Sequence, residues 1–218
     1  MPTTCCSFGN AAAAHFSQAI AARDLDDYRR NGPGETTRLL VEGLTAAGAV
    51  HGSLLDVGTG VGALMFELLD AGFTRATAID LSPAYVQSAS QEAARRGRSQ
   101  VVRFVQDDVV AVARHLPPET VVTLDRVICC YPDYVRLLRE SLRLAERAVG
   151  ISYPRDRWYV RVLNLFDNAK RRMKGSPFRT FIHNTAAVES QIVEAGFTRI
   201  SRQSTWTWRV DVYGRGTR

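Results

Sequence analysis

From about residue 52 onward, continuous apolar runs alternate with stretches whose apolar residues recur at the helical period. Three of the runs carry an aspartate at or near their carboxyl end, and such runs are typical of strands buried on both faces of a parallel sheet. The pattern predicts strands over Ser53–Val57, Arg75–Asp80, Val101–Gln106, Val121–Ile128 and Ala148–Ser152. This alternation of strands with helices predicts a doubly wound α/β sheet.

Capping residues mark the helices between these strands. Ser82 and Pro83 predict a helix start and Gly97 its end, because serine caps a first turn and glycine follows a last one. The tail predicts two strands, Thr198–Thr205 and Trp206–Gly214, that pair antiparallel at the sheet edge. Further helices are predicted over Glu35–Ala47, Gly62–Ala71 and Thr185–Ala195. Together these elements predict a mostly parallel, seven-stranded sheet with helices on both faces.

The chain of 218 residues shows no repeat and no low-complexity linker. We expect a globular unit over residues 51–218, preceded by an N-terminal helical extension, residues 1–50. A hydrophobic content of 45% with 23% charged residues excludes disordered, collagen-like and coiled-coil chains. No apolar run approaches the ~18 residues of a membrane helix, and no signal peptide is recognisable. These features predict a cytoplasmic protein without a membrane partner.

The net charge of +6 is unevenly distributed along the chain. Residues 1–133 carry 11 basic and 15 acidic side chains, whereas residues 134–218 carry 17 basic and 7 acidic ones. A basic half suits an anionic substrate, a nucleic acid or a solvated surface rich in arginine. The charge distribution therefore leaves these three interpretations open.

The four cysteines form two adjacent pairs, Cys5-Cys6 and Cys129-Cys130. Neither pair has the Cys-x-x-Cys or Cys-His spacing of a zinc site, so we expect no metal centre. Because Cys129-Cys130 follows an apolar run, we interpret the pair as the end of a buried strand. A soft-metal site needs the fold to bring the two pairs together.

The strongest local motif is a strand that runs into three alternating glycines, in the segment Leu54–Gly62. Glycines there allow a cofactor to approach the backbone closely, so the motif predicts a nucleotide-binding loop. It also satisfies the loose GxGxxG/A dinucleotide fingerprint. Asp80, twenty residues after Gly60, suits a ribose-binding carboxylate under either interpretation. Asp56 favours S-adenosylmethionine, because a carboxylate repels a pyrophosphate and attracts an amino or sulfonium group.

These residues resemble the motifs of class I S-adenosylmethionine-dependent methyltransferases. Asp56-x-Gly58-x-Gly60-x-Gly62 resembles their first motif, and Asp80 followed by Leu-Ser-Pro resembles the second. The resemblance covers about residues 34–213 and implies a Rossmann-like fold with S-adenosylmethionine as the cofactor. It further implies that Asp56, Gly58, Thr59 and Gly60 hold the methionine portion and that Asp80 binds the ribose.

The later motifs extend the implied cofactor site. Leu81 and Ser82 would flank the adenine. Asp107 and Asp108 resemble the third motif; we expect Asp108 at the adenine amino group, with Asp107, where the family commonly has glycine, as the alternative. A helix N-cap is the structural alternative for this acidic pair. The fourth predicted strand carries Asp125 where the family often places an acid at the substrate-facing end.

The methyl acceptor is less well specified, because methyl transfer needs alignment and exclusion of water rather than a universal catalytic residue. The Asn/Asp-Pro-Pro-Tyr/Phe signature of nucleobase amine methyltransferases is absent, which disfavours a nucleic acid partner. We expect Gly150–Ser176 and the N-terminal extension to form a lid. Phe178-Arg179-x-Phe181-x-His183 is distantly similar to magnesium-protoporphyrin O-methyltransferases, which methylate a carboxylate of a planar anion. The similarity points to an anionic or aromatic small molecule.

Four side chains are candidates for positioning the acceptor or removing a proton: Tyr28, Arg126, Tyr131 and His183. His183 has the side chain whose ordinary pKa suits a base near neutrality, and packing or capping is its alternative role. Arg126 could bind a carboxylate through two hydrogen bonds or form a structural ion pair.

We expect methylation of a small molecule on oxygen, most simply a carboxylate or a phenol, and less readily on nitrogen. The alternatives are an RNA methyltransferase that uses the basic C-terminal half, a nicotinamide-dependent oxidoreductase, and a non-catalytic module that binds S-adenosylmethionine. Arsenite as the acceptor is a minor further alternative. The oligomeric state stays open, a homodimer being one candidate.

Overall fold

The computed structural model describes residues 5–216, apart from the side chains of residues 5–8 and 10. Within these residues the chain forms one seven-stranded sheet in the order β3-β2-β1-β4-β5-β7-β6. The strands are β1 Ser53–Val57, β2 Arg75–Asp80, β3 Val102–Gln106, β4 Glu119–Asp125, β5 Ala145–Pro154, β6 Phe197–Ser204 and β7 Trp208–Arg215. The first five are parallel, and β7 lies antiparallel between β5 and β6. The predicted sheet with its C-terminal antiparallel hairpin is confirmed.

Helices cover both faces of the sheet, as the sequence predicts. They are α1 Cys5–His15, α2 Gln18–Asn31, α3 Glu35–Ala46, α4 Ala63–Ala71, α5 Pro83–Arg95, α6 Val109–Val112, α7 Tyr134–Leu144, α8 Trp158–Met173 and α9 Thr185–Glu194. Buried side chains of α2, α3, α4 and α5 form the core on one face. Those of α6, α7 and α9 form the core on the other. No helix in residues 5–216 is long and apolar enough to cross a membrane.

Helix α3 precedes the first strand and belongs to the helical layer. Leu40 and Leu44 are fully buried in the core that this layer shares with the sheet. A Cβ atom at Gly43 would lie 2.9 Å from Val212 Cγ2, so glycine allows α3 to approach β7 closely. The helix thereby continues the hydrophobic cover over the C-terminal hairpin.

The strand order reverses between β1 and β4, and this arrangement locates the site. Chain connections run outward from these two neighbouring strands in opposite directions, which leaves a crevice at their carboxyl ends. Asp56, Asp80 and Asp125 lie in the last two residues of β1, β2 and β4. The fold therefore collects three sequence-predicted carboxylates at one edge of the sheet.

The predicted strand Val121–Ile128 is wrong at its C-terminal end. Strand β4 ends at Asp125, and Arg126 adopts a left-handed backbone conformation with φ of 61°. The backbone N–H of Arg126 donates to Ser152 Oγ at 2.8 Å, which helps to hold this turn. The next residues form a short 3-10 helix, Ile128–Cys130, so Cys129-Cys130 does not end a buried strand. The apolar run continues past the strand because Ile128 and Cys129, which follow the turn, are buried.

Candidate functional site

A cavity of about 540 Å³ lies at the carboxyl ends of β1, β2 and β4. The N-terminal helices supply one wall, and the loops that follow the three strands supply another. A third part of the lining comes from Arg171, Phe178 and Thr180, in and after α8. Most of the sequence-predicted site residues meet in this cavity, while His183 and Ser82 do not line it.

The glycine loop, residues 56–62, turns sharply at the floor of the cavity. Gly58 has a φ of 65°, and a Cβ atom there would lie 2.5 Å from Val127 Cγ2. The N–H groups of Gly58 and Thr59 donate to Ile79 O at 2.8 and 3.1 Å, which ties the loop to β2. Gly60 lines the cavity, and a Cβ atom there would meet no heavy atom within 4 Å. The loop therefore leaves room for a ligand beside its backbone.

Asp56 fastens this loop to the neighbouring strand β4. Its side chain is buried, and its two oxygens accept hydrogen bonds from Thr59 Oγ1 at 2.8 Å and Thr123 Oγ1 at 2.6 Å. Burial raises the pKa of the Asp56 carboxyl to about 7, although the threonine hydrogen bonds act in the opposite direction. A proton can therefore be gained or lost here near neutral pH.

Asp80 holds the other side of the loop. Its Oδ2 accepts from the N–H of Gly60 at 2.9 Å, and its Oδ1 accepts from the N–H of Ser82 at 2.8 Å. Burial raises the pKa of Asp80. Both Asp80 and Leu81 line the cavity, whereas Ser82 is fully buried, caps α5 and donates to Phe16 O at 2.7 Å. Ser82 thus connects the strand end to the N-terminal helices rather than facing the cavity.

The two acidic residues after β3, Asp107 and Asp108, lie in different environments. Asp108 caps α6 through a hydrogen bond from Val110 N at 2.9 Å, and it accepts from Tyr131 Oη at 2.7 Å. Asp107 is exposed, lines the cavity, and accepts the N–H of Asp108 at 2.7 Å. The structure thus places the more accessible carboxylate at Asp107 and gives Asp108 the capping role.

The turn after β4 brings Asp125 and Arg126 to the cavity. Asp125 accepts hydrogen bonds from Thr37 Oγ1 at 2.7 Å and from Ser152 Oγ, which links α3 to β5. Arg126 is exposed and lines the cavity. Tyr131, which also lines it, is held by Asp108. Two of the four candidates for positioning the acceptor therefore meet beside the same turn.

The N-terminal helices contribute Tyr28 and His15. Tyr28 Oη donates to Glu67 Oε1 at 2.8 Å, and Arg96 lies 4.9 Å from the centre of its ring. Burial raises the pKa of Tyr28, so the buried phenol stays protonated. His15 lines the cavity, stacks on Phe178 at 4.2 Å between ring centroids, and has a pKa that burial lowers. Sequence reasoning missed His15, whose signal was a polar residue directly after four alanines.

His183 lies outside the set of cavity-lining residues. Its Nε2 is 3.0 Å from Ile128 O, and its ring stacks on Tyr134 with centroids 4.0 Å apart. Burial lowers the pKa of His183. These contacts correspond to the packing role that the sequence left open.

Cys129 and Cys130 lie side by side in the cavity wall, with their sulfur atoms 3.5 Å apart. The hydrogen bond from Cys129 lowers the pKa of Cys130, and burial opposes this effect. The side chains of Cys5 and Cys6 lie outside the described residues. Among those that are described, no group of three or more histidine, cysteine, aspartate or glutamate side chains could hold a metal ion.

Arg171 completes the cavity wall and was not identified from the sequence. Its Nη1 donates to Thr180 Oγ1 at 3.0 Å and to Asn168 Oδ1 at 3.3 Å. The guanidinium lies 5.7 Å from the centre of the Phe178 ring. Arg171 is one of several arginines in a basic segment, and only the fold distinguishes it from its neighbours.

Comparison with protein families gives a match over part of this architecture. Residues 54–148, which include the glycine loop and all of the carboxylates described above, match the model described as a methyltransferase domain. No curated protein matches the sequence.

Solved structures show the same fold at low sequence identity. Magnesium protoporphyrin IX methyltransferase from Synechocystis PCC 6803, solved with bound SAH, is 21% identical, with a TM-score of 0.73 over 96% of this chain and 100% of that one. An O-methyltransferase family protein from Burkholderia thailandensis is 15% identical, with a TM-score of 0.71 over 94% of this chain and 62% of that one. The [4+2]-cyclase SpnF is 15% identical, with a TM-score of 0.63 over 82% and 81%. One fold thus supports more than one reaction, and the site must decide between them.

Proposed function

We propose, from the premise that this chain is a class I S-adenosylmethionine-dependent methyltransferase, that it methylates an oxygen of a small anionic molecule. The premise rests on the methyltransferase domain over residues 54–148 and on the matching fold. We favour a carboxylate as the acceptor and place a phenol second. The charged residues of the cavity lining support this choice of acceptor.

The residues present suit S-adenosylmethionine, which supplies an electrophilic methyl group carried on a sulfonium. Asp80 has a carboxylate at the cavity with lone pairs beyond its two backbone hydrogen bonds, so it can accept from ribose hydroxyls. Gly60 leaves space beside the loop. Asp56 supplies negative charge beneath the loop for a cationic group. We assign the adenine amino group to Asp107, because Asp107 is exposed in the cavity lining, whereas Asp108 is buried, caps α6 and accepts from Tyr131.

Two arginines without carboxylate partners carry the proposal for an anionic acceptor. Arg126 and Arg171 both line the cavity, and neither forms an ion pair within residues 5–216. Arg202, by contrast, pairs with Glu189 at 2.8 Å and with Asp211 at 2.9 Å. A guanidinium next to a cavity binds a carboxylate strongly, because charged hydrogen bonds are stronger there than in open solvent. These two guanidinium groups therefore favour an acceptor that brings its own negative charge.

The chemistry demanded of the chain is modest for such an acceptor. A carboxylate is ionised near neutral pH, so no base has to remove a proton before its oxygen attacks the methyl group. Arg126 and Arg171 would orient the acceptor, and the aromatic wall of His15 and Phe178 would exclude water. A phenol does need a base. His15 can supply it, since its lowered pKa leaves the imidazole neutral near pH 7.

A methyl-transfer assay on matched acceptor pairs tests this proposal. Aromatic and aliphatic carboxylates would be compared with their primary amides, which keep the shape and remove the charge. We expect methylation of carboxylates, and a rise in acceptor KM of about 10- to 100-fold for Arg126→Gln and Arg171→Gln, since each removes a charged hydrogen bond. Arg139→Gln, which alters an exposed arginine on α7, is the matched control and should leave KM unchanged. Equal use of amides, with unaffected arginine variants, would refute the anionic acceptor.

A further inference from the structure

Helix α8 presents a row of large apolar side chains to solvent. Trp158, Leu165, Phe166 and Met173 have 76%, 68%, 68% and 82% of their surface exposed. Val162, which lies between them on the same face, is 42% exposed. At the helical period these side chains form one contiguous surface, which we call the outer face of α8. Trp206 continues the surface beyond the helix, with 68% exposed and its ring stacked on Tyr159.

The inner side of the same helix is largely polar. Asn164 and Asn168 donate to Thr180 O at 3.1 and 2.7 Å, and Arg171 donates to Thr180 Oγ1. Val160 is the buried residue of this helix. The polarity of α8 is thus the reverse of an ordinary surface helix, which turns its apolar side inward. Exposed apolar surface of this extent marks a site of interaction, because folding alone does not require it.

The flanks of the outer face are basic. Arg161 and Arg172 border it on one side, and Lys170 borders it on the other. Residues 155–174 contain seven basic and two acidic side chains, and Asp156 is already paired with Arg161 at 2.6 Å. A second copy packed on this face by two-fold symmetry would bring these positive charges together at a cost. The surface instead complements a partner that is apolar inside and negatively charged at its boundary.

We propose that α8 docks on an anionic lipid bilayer, with its outer face inserted at the headgroup boundary and its flanking cations against the lipid phosphates. The helix lies on the membrane and does not span it, in keeping with the lack of a membrane-spanning helix in residues 5–216. The proposal replaces the expectation from the sequence that the protein has no membrane partner. It does not depend on the identity of the methyl acceptor.

Vesicle flotation of the full-length protein tests the docking. Vesicles of phosphatidylcholine alone would be compared with vesicles that also contain phosphatidylglycerol, each at low and high salt. We expect the protein to float with the anionic vesicles and to remain unbound with the neutral ones. High salt should weaken the binding, because it screens the contacts between cations and phosphates.

Two variants separate the apolar part from the electrostatic part. Leu165→Ser with Phe166→Ser should lower the partition into anionic vesicles by roughly tenfold or more, since both side chains lose their insertion. Lys170→Gln with Arg172→Gln should lower it by about fivefold for each charge. Val135→Ser with Val193→Ser changes exposed apolar residues of α7 and α9 and should bind like the unmodified protein. Titration with S-adenosylhomocysteine checks that each variant is folded, without reference to activity.

Three outcomes would overturn the docking. The first is the absence of flotation with either type of vesicle. The second is a loss in the Val135/Val193 variant that equals the loss in the Leu165/Phe166 variant. The third is a dimer in light scattering that becomes a monomer in the Leu165/Phe166 variant, which would assign the outer face to a second copy of the chain. None of these results bears on methyl transfer, so the failure of one proposal leaves the other testable.

Discussion

The glycine loop and helix α8 lie on the same cavity and are built on opposite principles. In and beside the loop, each of two buried carboxylates is satisfied from within the chain: Asp56 by two threonine hydroxyls, and Asp80 at the end of β2 by two backbone N–H groups. Helix α8 leaves large apolar side chains in solvent and a guanidinium without a carboxylate at the cavity. We call the part of the cavity at the glycine loop the proposed cofactor side; its buried charges are satisfied within the chain. The side at α8, by contrast, leaves a guanidinium without a carboxylate and an apolar surface without a partner.

We expect a substitution at Gly58 to disrupt the proposed cofactor side most strongly. Gly58→Ala places a methyl group 2.5 Å from Val127 Cγ2 in a left-handed conformation, so the loop must shift. We expect a loss of about 2–4 kcal/mol in the free energy of unfolding, from overpacking and backbone strain. Binding of S-adenosylhomocysteine should fall below detection. Chemical denaturation and calorimetric titration measure the two effects.

Gly97→Ala is the matched control for this substitution. Gly97 has a φ of 66°, almost the same as Gly58, but a Cβ atom there meets nothing within 4 Å. The control should cost about 1 kcal/mol from the backbone alone and leave the cofactor affinity unchanged. Similar behaviour of the two variants would show that the contact with Val127 does not matter.

Asp80 gives the next largest effect. Asp80→Ala removes the proposed ribose acceptor and the partner of the Gly60 N–H, so the cofactor affinity should fall by about 1.5–3 kcal/mol. Asp133→Ala removes an aspartate that caps α7 outside the cavity lining, and it should leave the affinity unchanged. Calorimetric titration compares the variants. An unchanged affinity in Asp80→Ala would contradict the placement of the ribose.

Titration of Asp56 should have the smallest effect, and it should make both stability and cofactor affinity depend on pH. Its pKa in the folded protein is about 7, raised from an ordinary value of 3.8. Between these values the folded chain holds a proton that the unfolded chain has lost, so stability should fall as the pH rises through this window. A bound cationic group favours the ionised carboxylate. Affinity for S-adenosylhomocysteine should therefore rise with pH up to and through neutrality, by at most about tenfold per pH unit.

Asp56→Asn serves as the reference for this pH dependence. The amide keeps the size of the side chain but does not titrate, so both the stability slope and the affinity slope that Asp56 causes should disappear. Denaturation and calorimetry over the pH range from mildly acidic to mildly basic would measure them. Identical slopes in the variant and the unmodified protein would assign the pH dependence to another group.

The contrast between the glycine loop and α8 also explains which parts of the structure the sequence could predict. Strands β1 and β2 begin and end as predicted, because strands buried on both faces give continuous apolar runs bounded by turn residues. The end of β4 was missed, since Val127 and Ile128 prolong the apolar run beyond the turn at Arg126. The glycine loop could be recognised because its residues are close in the sequence: Asp56, the glycines and Asp80 follow one another at a fixed spacing.

The side facing the acceptor could not be predicted in this way. Arg171 and His15 reach the cavity only through tertiary packing, from segments more than 150 residues apart in the sequence. His183 looked suitable by residue type, yet its ring packs against Tyr134 and contacts Ile128 O. The outer face of α8 was also missed, because Gly150–Ser176 was interpreted as part of a lid and no helix was predicted there. Its exposure became evident only when the fold showed what the other side of the helix contacts.

Calorimetric titration with S-adenosylhomocysteine, with NAD as the parallel ligand, tests most directly whether the proposed cofactor side binds S-adenosylmethionine and its product. The account predicts micromolar binding of S-adenosylhomocysteine and no binding of NAD, because the Asp56 carboxylate favours a cationic group over a pyrophosphate. Binding of NAD without binding of S-adenosylhomocysteine would contradict it, and the methyltransferase assignment would fall with the role given to Asp56.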